Sequence, residues 1–420
     1  MQICLDAREG GPLRFWTPAR LQLYGYAIAA IYACFIAACY HAGTWIVDRN
    51  GVPIYTDFAC AWITTTQALH GHVAALYDPT SFIQLQVAVV GPRDDIYPNW
   101  PYPPVFLLIM APFAAFRYVQ AFLAWDVLTL IGCVAVVYAI TRRPAAIALV
   151  LAFPFTAWNF LAAQNGFLTA SLLGASLALL ERRPVFAGIC LGCLTYKPQF
   201  GVLFPVALVA ARQWHAIAAA AVTAVLFAAA SAAVFGAGVW GAFPPQMLAQ
   251  TELNLLADPQ SNWGYLQSVY GLARILHAGP MPASVAQGAT TLAGAVLVWL
   301  VWRSDIRFPL KAATLSAAAL LATPYAFAYD MAALAIPAAF LIKDQIDHGL
   351  LKGEAAVGCT LFATSLALLM ILRDKPDAVT FGGTPIGTLF AVALLPMVMR
   401  RVAWGGKPTM LLCHPSCLTR

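Results

Sequence analysis

The polar and apolar positions of this chain fall into long uncharged runs rather than the alternating stripes of a soluble domain. Leu21 to Tyr40 is a run of twenty residues without a charge, long enough to cross a bilayer as one helix. A mixed, more polar stretch follows from Ala42 to Pro101, in which FACAWITTTQALHGHVAALY and SFIQLQVAVV predict short helices at the membrane interface. From Tyr102 onward apolar segments succeed one another almost without pause, and a second polar loop spans Ala237 to Pro282. The pattern predicts an all-α polytopic membrane protein, a single domain over residues 1–420 with a C-terminal tail from about 400 to 420. On the criterion of ~20 residues per crossing, it has roughly eleven to thirteen transmembrane or re-entrant helices.

Several of these segments are too short to cross alone. Val185 to Tyr196 is interrupted by Lys197 and Pro198 before Phe200 to Ala211 continues. Ala312 to Thr323 and Met331 to Leu341 flank the stretch PYAFAYD, and Ala145 to Asn165 contains Pro154 and ends in a Gln-Asn-Gly turn. Broken helices inside a membrane are tolerated where protein or a wet cavity satisfies the freed backbone groups. They therefore point to a buried polar site.

Composition agrees: 61% of the residues are hydrophobic, 10% are charged and mean hydropathy is +0.75, against about 25% charged residues in an ordinary globular protein. The net charge of +6 does not indicate a nucleic-acid partner, because Lys and Arg sit in small clusters beside apolar segments, as cytoplasmic ends do. These clusters are Arg8/Arg14/Arg20, Arg142/Arg143, Arg182/Arg183, Arg212, Arg303/Arg307/Lys311, Lys343/Lys352 and Arg400/Arg401/Lys407. The loop 42–101 holds Asp48, Asp57, Asp78, Asp94 and Asp95 against Arg49 and Arg93, and the loop 237–282 holds Glu252 and Asp258 against Arg274. Both acidic loops are assigned to the outer side. One inconsistency remains: Tyr102 to Phe116 and Val119 to Ile140 look like two crossings, whereas an odd number must separate Asp57 from Arg142 and Arg143. One of the two is re-entrant, or the Arg pair departs from the charge rule.

Cysteines within the apolar runs, such as Cys34, Cys39, Cys133 and Cys359, read as small hydrophobes. Cys190 and Cys193 have a redox-like spacing but lie in GICLGC, and Cys413, His414 and Cys417 make a still weaker site. His70 and His72 lack an evident third metal ligand. Ionisable groups inside spans are costly and so are candidates for function. Lys197, in LTYKPQFG, could hold a phosphate or snorkel to an interface. Asp330, in PYAFAYDM, could orient a sugar hydroxyl, pair with a cation or cap a helix. Asp126 reads as having a structural partner in the bundle. Asp57, in IYTDFACAW, is either a helix cap or a general base for an attacking hydroxyl, with Asp94 and Asp95 a second carboxylate candidate. Trp100, Tyr102, Trp158, Trp240, Trp263, Tyr265 and Tyr270 could stack on a sugar, line a groove for a lipid tail or form an aromatic belt.

The order of these pieces carries more information than any one of them. The Asp-Phe of the first loop, Leu76-Tyr77-Asp78, PYPPVFLLIMAPFA, AAQNGFLTASLLG, LLERRPVFAGICLGCLTYKPQFGVLFPVALVAARQW and TPYAFAYDM together resemble glycosyltransferase family 87. The resemblance implies the multi-spanning GT-C architecture and transfer of a sugar, mannose in the best-known case, from a polyprenyl-phosphate donor. The acceptor would be a glycolipid or glycan on the outer face, with inversion at the anomeric carbon. It places the essential acid of the first outer loop at Asp57. It also brings Lys197 and Gln199 near the donor phosphate, and Gln164, Asn165, Asp330 and Tyr102 near the substrates. No cofactor is expected, since a departing monophosphate can be stabilised by a lysine and helix N-termini; dependence on a divalent metal stays open. The expected location is a bacterial cytoplasmic membrane with the site facing the periplasm, in contact with the lipid bilayer. The alternative is a transporter or flippase of an amphiphilic lipid or lipid-linked sugar, which the broken helices also suit.

Overall fold

The computed structural model describes residues 18–252, 255, 266–372 and 386–405. Arg8, Arg14, Asp258, Trp263, Tyr265, Lys407 and the Cys413, His414, Cys417 group lie outside the described residues. The described chain is helical, with isolated bridges but no strand. Its helices are α1 (Pro18–Ala42), α2 (Asp57–Leu69), α3 (Pro79–Val90), α4 (Val105–Ala114), α5 (Tyr118–Thr141) and α6 (Pro144–Ala152). Next come α7 (Pro154–Ala162), α8 (Gly166–Leu179), α9 (Pro184–Cys193), α10 (Phe204–Ala210), α11 (Trp214–Phe235) and α12 (Gly238–Thr251). The series closes with α13 (Val269–Ile275), α14 (Pro280–Arg303), α15 (Phe308–Leu321), α16 (Ala335–His348), α17 (Glu354–Leu372) and α18 (Ile386–Trp404).

Among the described residues five helices, α1, α5, α11, α14 and α18, are long and apolar enough to cross a membrane, and a sixth crossing arises if α6 and α7, bent by 61° at Pro154, count as one. Shorter apolar helices, including α4, α8 and α15, make up the rest. Full-length and shorter apolar helices together are consistent with the expected all-α polytopic bundle of transmembrane and re-entrant helices. The clearest short case is α4: ten residues rise only about 15 Å, half the ~30 Å hydrocarbon thickness. The short α4 suits the re-entrant alternative, in which α5 is the one crossing between Asp57 and Arg142 and Arg143.

Close helix packing relies on small residues. A Cβ on Gly188 would lie 2.3 Å from Ala216 O, and one on Gly192 would lie 2.5 Å from Thr223 Cβ. These two glycines, four apart on α9, let α11 approach backbone to backbone. The GICLGC run is thus a helix-packing seam, and Cys190 and Cys193 are free thiols. Ala312, Ala313, Ala317, Ala318 and Ala319 serve a similar purpose on α15, which is buried along most of its length.

At one end of the bundle, α16, α17 and α18 are held by a buried ion cluster. Arg401 reaches Asp344 Oδ2 at 2.6 Å and Glu354 Oε1 at 2.7 Å, and Arg307 Nε lies 2.8 Å from Asp344 Oδ1. The two polar loops meet one another through Gln246 Nε2, which donates to Tyr77 O at 2.8 Å. They therefore share one side of the molecule. Gln267 fastens the second loop to the interrupted region after α15: its N–H donates to Ala326 O at 2.6 Å, and its Oε1 accepts from Gly387 N at 2.8 Å.

Candidate active site

Three interruptions in the apolar helices meet the first loop and build one polar chamber. The first lies between α9 and α10. A residue before proline is disfavoured in the helical region, and Lys197 before Pro198 has φ −134° and ψ 71°. This turns its side chain out of the helical path and into the interior, where Lys197 is 4% exposed. The second is the turn between α7 and α8, where Ala163 takes the left-handed φ of 46°. Asn159 clamps that turn, accepting Gly166 N–H at 2.9 Å and donating to Gln164 O at 3.0 Å. The third is the segment after α15, where a 3-10 turn, Ala328–Leu334, carries Asp330.

Lys197 Nζ donates to Asp330 Oδ1 at 2.6 Å, with the lysine and aspartate side chains 5% and 0% exposed. Asp330 Oδ2 accepts the Phe327 N–H at 3.1 Å. Capping and cation pairing, alternatives in the sequence, are here performed by different oxygens of one carboxylate. Tyr329 lies with its ring centroid 4.5 Å from the ammonium, while Phe200 and Tyr102 stand at 5.8 and 5.9 Å. The lysine thus sits in an aromatic cage, where cation–π attraction adds to its ion pair. It does not snorkel.

Tyr102 links this pair to the turn after α7: its hydroxyl accepts from Asn165 Nδ2 at 2.8 Å. Tyr196 reinforces the turn, its hydroxyl 2.6 Å from Thr169 Oγ1 and 3.2 Å from Asn165 O. Phe106 stacks between Tyr102 and Tyr196, at centroid distances of 4.4 and 5.3 Å.

Asp57 enters from the first loop. Thr56 is the N-cap of α2, its side chain accepting from Ala59 N, so Asp57 is the first helical residue and its carboxylate is not used as the cap. Asp57 lines a cavity together with Phe58, Tyr102, Phe106, Trp125, Gln164 and Asn165. Burial pushes its carboxyl above the ordinary range, while Tyr97, Gln164 and the charge of Lys197 pull the other way. The cavity has a volume of about 10 Å³, room for no more than about one water molecule. A sugar with its lipid phosphate requires it to open.

Tyr97 was not anticipated. Its hydroxyl donates towards Asp57, whose charge pushes the phenol pKa well up. The surrounding loop fixes its backbone: Tyr97 N donates to Tyr55 OH at 2.9 Å, Gln86 Nε2 donates to Tyr97 O at 2.9 Å, and Tyr55 OH donates to Gln86 Oε1 at 2.5 Å. Gln199 is half-buried in the turn after Lys197, and no hydrogen bond joins it to the cluster among the described residues.

Other candidates lie elsewhere. Asp95 pairs with Arg93, at 2.7 Å from Nη2, and is 60% exposed at its side chain, and Asp94 is exposed as well. His70 and His72 bind Thr66 O and Gln67 Oε1. Among the described residues no three His, Cys, Asp or Glu side chains group as metal ligands. Asp126 departs from the sequence reading: it is fully buried, but among the described residues neither of its carboxyl oxygens has a hydrogen-bond partner, so the structural partner expected in the bundle is not found there.

A polytopic helical bundle whose broken helices enclose a carboxylate, a caged ammonium and amide side chains has the equipment of a membrane-embedded transferase. Residues 100–324 match the model of Glycosyltransferase family 87, and the chain belongs to that family. It is a membrane glycosyltransferase. Tyr102, Gln164, Asn165, Lys197 and Gln199 fall within the matched span, and Asp57 and Asp330 outside it. No curated protein and no solved structure matches the chain.

Proposed function

We propose that this glycosyltransferase moves a sugar, mannose in the first instance, from a polyprenyl-phosphate donor to a glycolipid or glycan acceptor, with inversion. The observation that carries the reading is that Asp57, from the first loop, lines a cavity with Tyr102, and that the ammonium of Lys197, from a broken helix, stands 5.9 Å from the ring of that same tyrosine. Asp57 is the general base. As the acceptor oxygen attacks the anomeric carbon, its proton passes to the Asp57 carboxylate, and the bond from that carbon to the phosphate oxygen breaks. The electron pair leaves with the phosphate.

Lys197 meets that departing charge. An ammonium has three donors, and Asp330 Oδ1 occupies one. The remaining two are available to phosphate oxygens without loss of the ion pair. Gln199 borders this phosphate position, while Tyr102, Gln164 and Asn165 lie along the path from Asp57 to Lys197. In this reading the chamber opens to the periplasmic side of a bacterial cytoplasmic membrane, where a lipid-linked donor arrives through the bilayer.

The test uses purified protein in detergent, radiolabelled polyprenyl-phosphate mannose and a membrane extract as the source of acceptor. Wild type is expected to form a labelled glycoconjugate. Asp57→Asn is expected to bind the donor but lose turnover by at least about a hundredfold, the scale of general-base catalysis. Full activity in that variant removes Asp57 from the mechanism.

A further inference from the structure

The turn that joins α7 to α8 contains unsatisfied polar atoms of complementary kind. Gln164 and Asn165 are 3% and 2% exposed and both line the cavity beside Asp57. Gln164 Oε1 accepts the Asn165 N–H at 3.2 Å, and Asn165 Nδ2 donates to Tyr102 OH at 2.8 Å. The backbone donor fixes the Gln164 amide, and the Asn165 amide, with its nitrogen on the Tyr102 hydroxyl, leaves its oxygen over. Gln164 Nε2, a donor that faces the Asp57 carboxylate, and Asn165 Oδ1, an acceptor, close no hydrogen bond of ordinary length among the described residues. Trp125 Nε1, a further unpaired donor, belongs to a residue lining the same cavity.

Buried polar groups are ordinarily paired, and those left unpaired in a cavity ask for an explanation. The chemistry that satisfies a donor and an acceptor on adjacent residues is a hydroxyl, which offers one O–H and two lone pairs. A carboxylate could serve only Gln164, and an ammonium only Asn165. The position is also informative. Gln164 faces Asp57, while Asn165 is bound to Tyr102, whose ring stands 5.9 Å from Lys197 Nζ. In an in-line displacement the transferred sugar lies between the base and the departing phosphate, so this turn flanks the sugar ring.

We propose that Gln164 Nε2 and Asn165 Oδ1 form the subsite for one ring hydroxyl of the transferred sugar. The proposal rests on the donor assignment made above and adds that the enzyme selects its donor by that hydroxyl. Phe58, Phe106 and Trp125 supply the apolar walls against which the C–H faces of a pyranose pack.

The test measures kcat/KM of the full-length enzyme with polyprenyl-phosphate mannose, glucose, galactose and arabinose, and then with each monodeoxy form of the best donor. One monodeoxy donor is expected to lose at least about tenfold, because its absence leaves both amide atoms buried and unpaired. That loss is expected to shrink to within about threefold in Gln164→Met or Asn165→Ala, in which the hydroxyl has lost a partner. Donors all used within twofold of the intact sugar by wild type overturn the subsite without recourse to any variant. So does a tenfold loss that persists undiminished in both variants, since the hydroxyl is then read elsewhere or the amides hold a water. Wild type inactive on all four donors, yet transferring sugar from a nucleotide-linked donor, overturns the donor assignment and the subsite with it.

Discussion

Lys197 and Asp330 are separated by 133 positions in the chain and by 2.6 Å in the fold. Their ion pair closes the chamber by tying the break after α9 to the turn before α16. Removing one partner of a buried pair leaves an uncompensated charge and costs about 3–5 kcal/mol. Lys197→Met and Asp330→Asn are therefore each expected to lower the denaturation midpoint in detergent markedly. The double variant Lys197→Met/Asp330→Leu should recover much of the stability but not the activity. A double variant no more stable than the singles would show that the pair is not what the single variants break.

Asp57 ties activity to pH. The base must be ionised to accept a proton, and burial holds its pKa above the ordinary carboxylate range, so kcat/KM should fall on acidification at a higher pH than an exposed aspartate would dictate. The hydrogen bond from Tyr97 favours the ionised form. In Tyr97→Phe the acid limb is therefore expected to move to still higher pH, with the alkaline plateau largely retained. An unmoved limb would detach Tyr97 from the base.

The same raised pKa makes a prediction about stability. Between the unfolded and folded values the native state holds more protons than the unfolded chain, so stability declines as pH rises through that window. Asp57→Asn, which cannot ionise, is expected to unfold at a higher temperature than wild type at neutral pH, with the gap closing below the unfolded pKa. Thermal unfolding measured at pH 7 and below pH 4 checks both halves, and a lower transition at pH 7 contradicts the burial account.

Asp126 is the costly residue without a site. Its two carboxyl oxygens are buried on α5 with no hydrogen-bond partner among the described residues, and a buried polar group left unpaired costs about 1–3 kcal/mol. Asp126→Leu, of similar size and apolar, is expected to stabilise the protein by about that much and leave transfer intact. Destabilisation would mean that the carboxyl binds a group the bundle itself does not supply.

What could be read from the sequence followed local rules, and what could not depended on distant partners. The break at Lys197 was legible because Pro198 forbids the preceding residue a helical backbone, and the Gln-Asn-Gly turn because glycine and amides punctuate helices. The role of Asp57 was ambiguous in Thr56-Asp57, where either residue makes a good cap; the fold gives that duty to Thr56. The Lys197–Asp330 pair and the hold of Tyr55 and Gln86 on Tyr97 join residues whose spacing follows no period, so no pattern announces them. Which of the apolar segments are full crossings was not legible for a related reason: apolarity marks burial, and α4 and α15 are apolar without having the length of a full crossing.

Gly166 tests whether the chamber depends on backbone contact as much as on its charges. A Cβ at this position would lie 2.1 Å from Tyr329 O and 2.5 Å from Asn159 Oδ1. The first atom belongs to the backbone beside Asp330 and the second to the clamp of the Gln164–Asn165 turn, so neither can simply swing aside. Gly166→Ala should therefore push the turn away from the segment that holds Asp330, at an overpacking cost of about 1–3 kcal/mol. Transfer is expected to fall further than this stability loss explains, because the displacement separates the amides from the ion pair while leaving every polar side chain in place. An alanine variant with native stability and native kcat/KM would show that the two segments have room to part, and that the chamber is looser than this contact indicates.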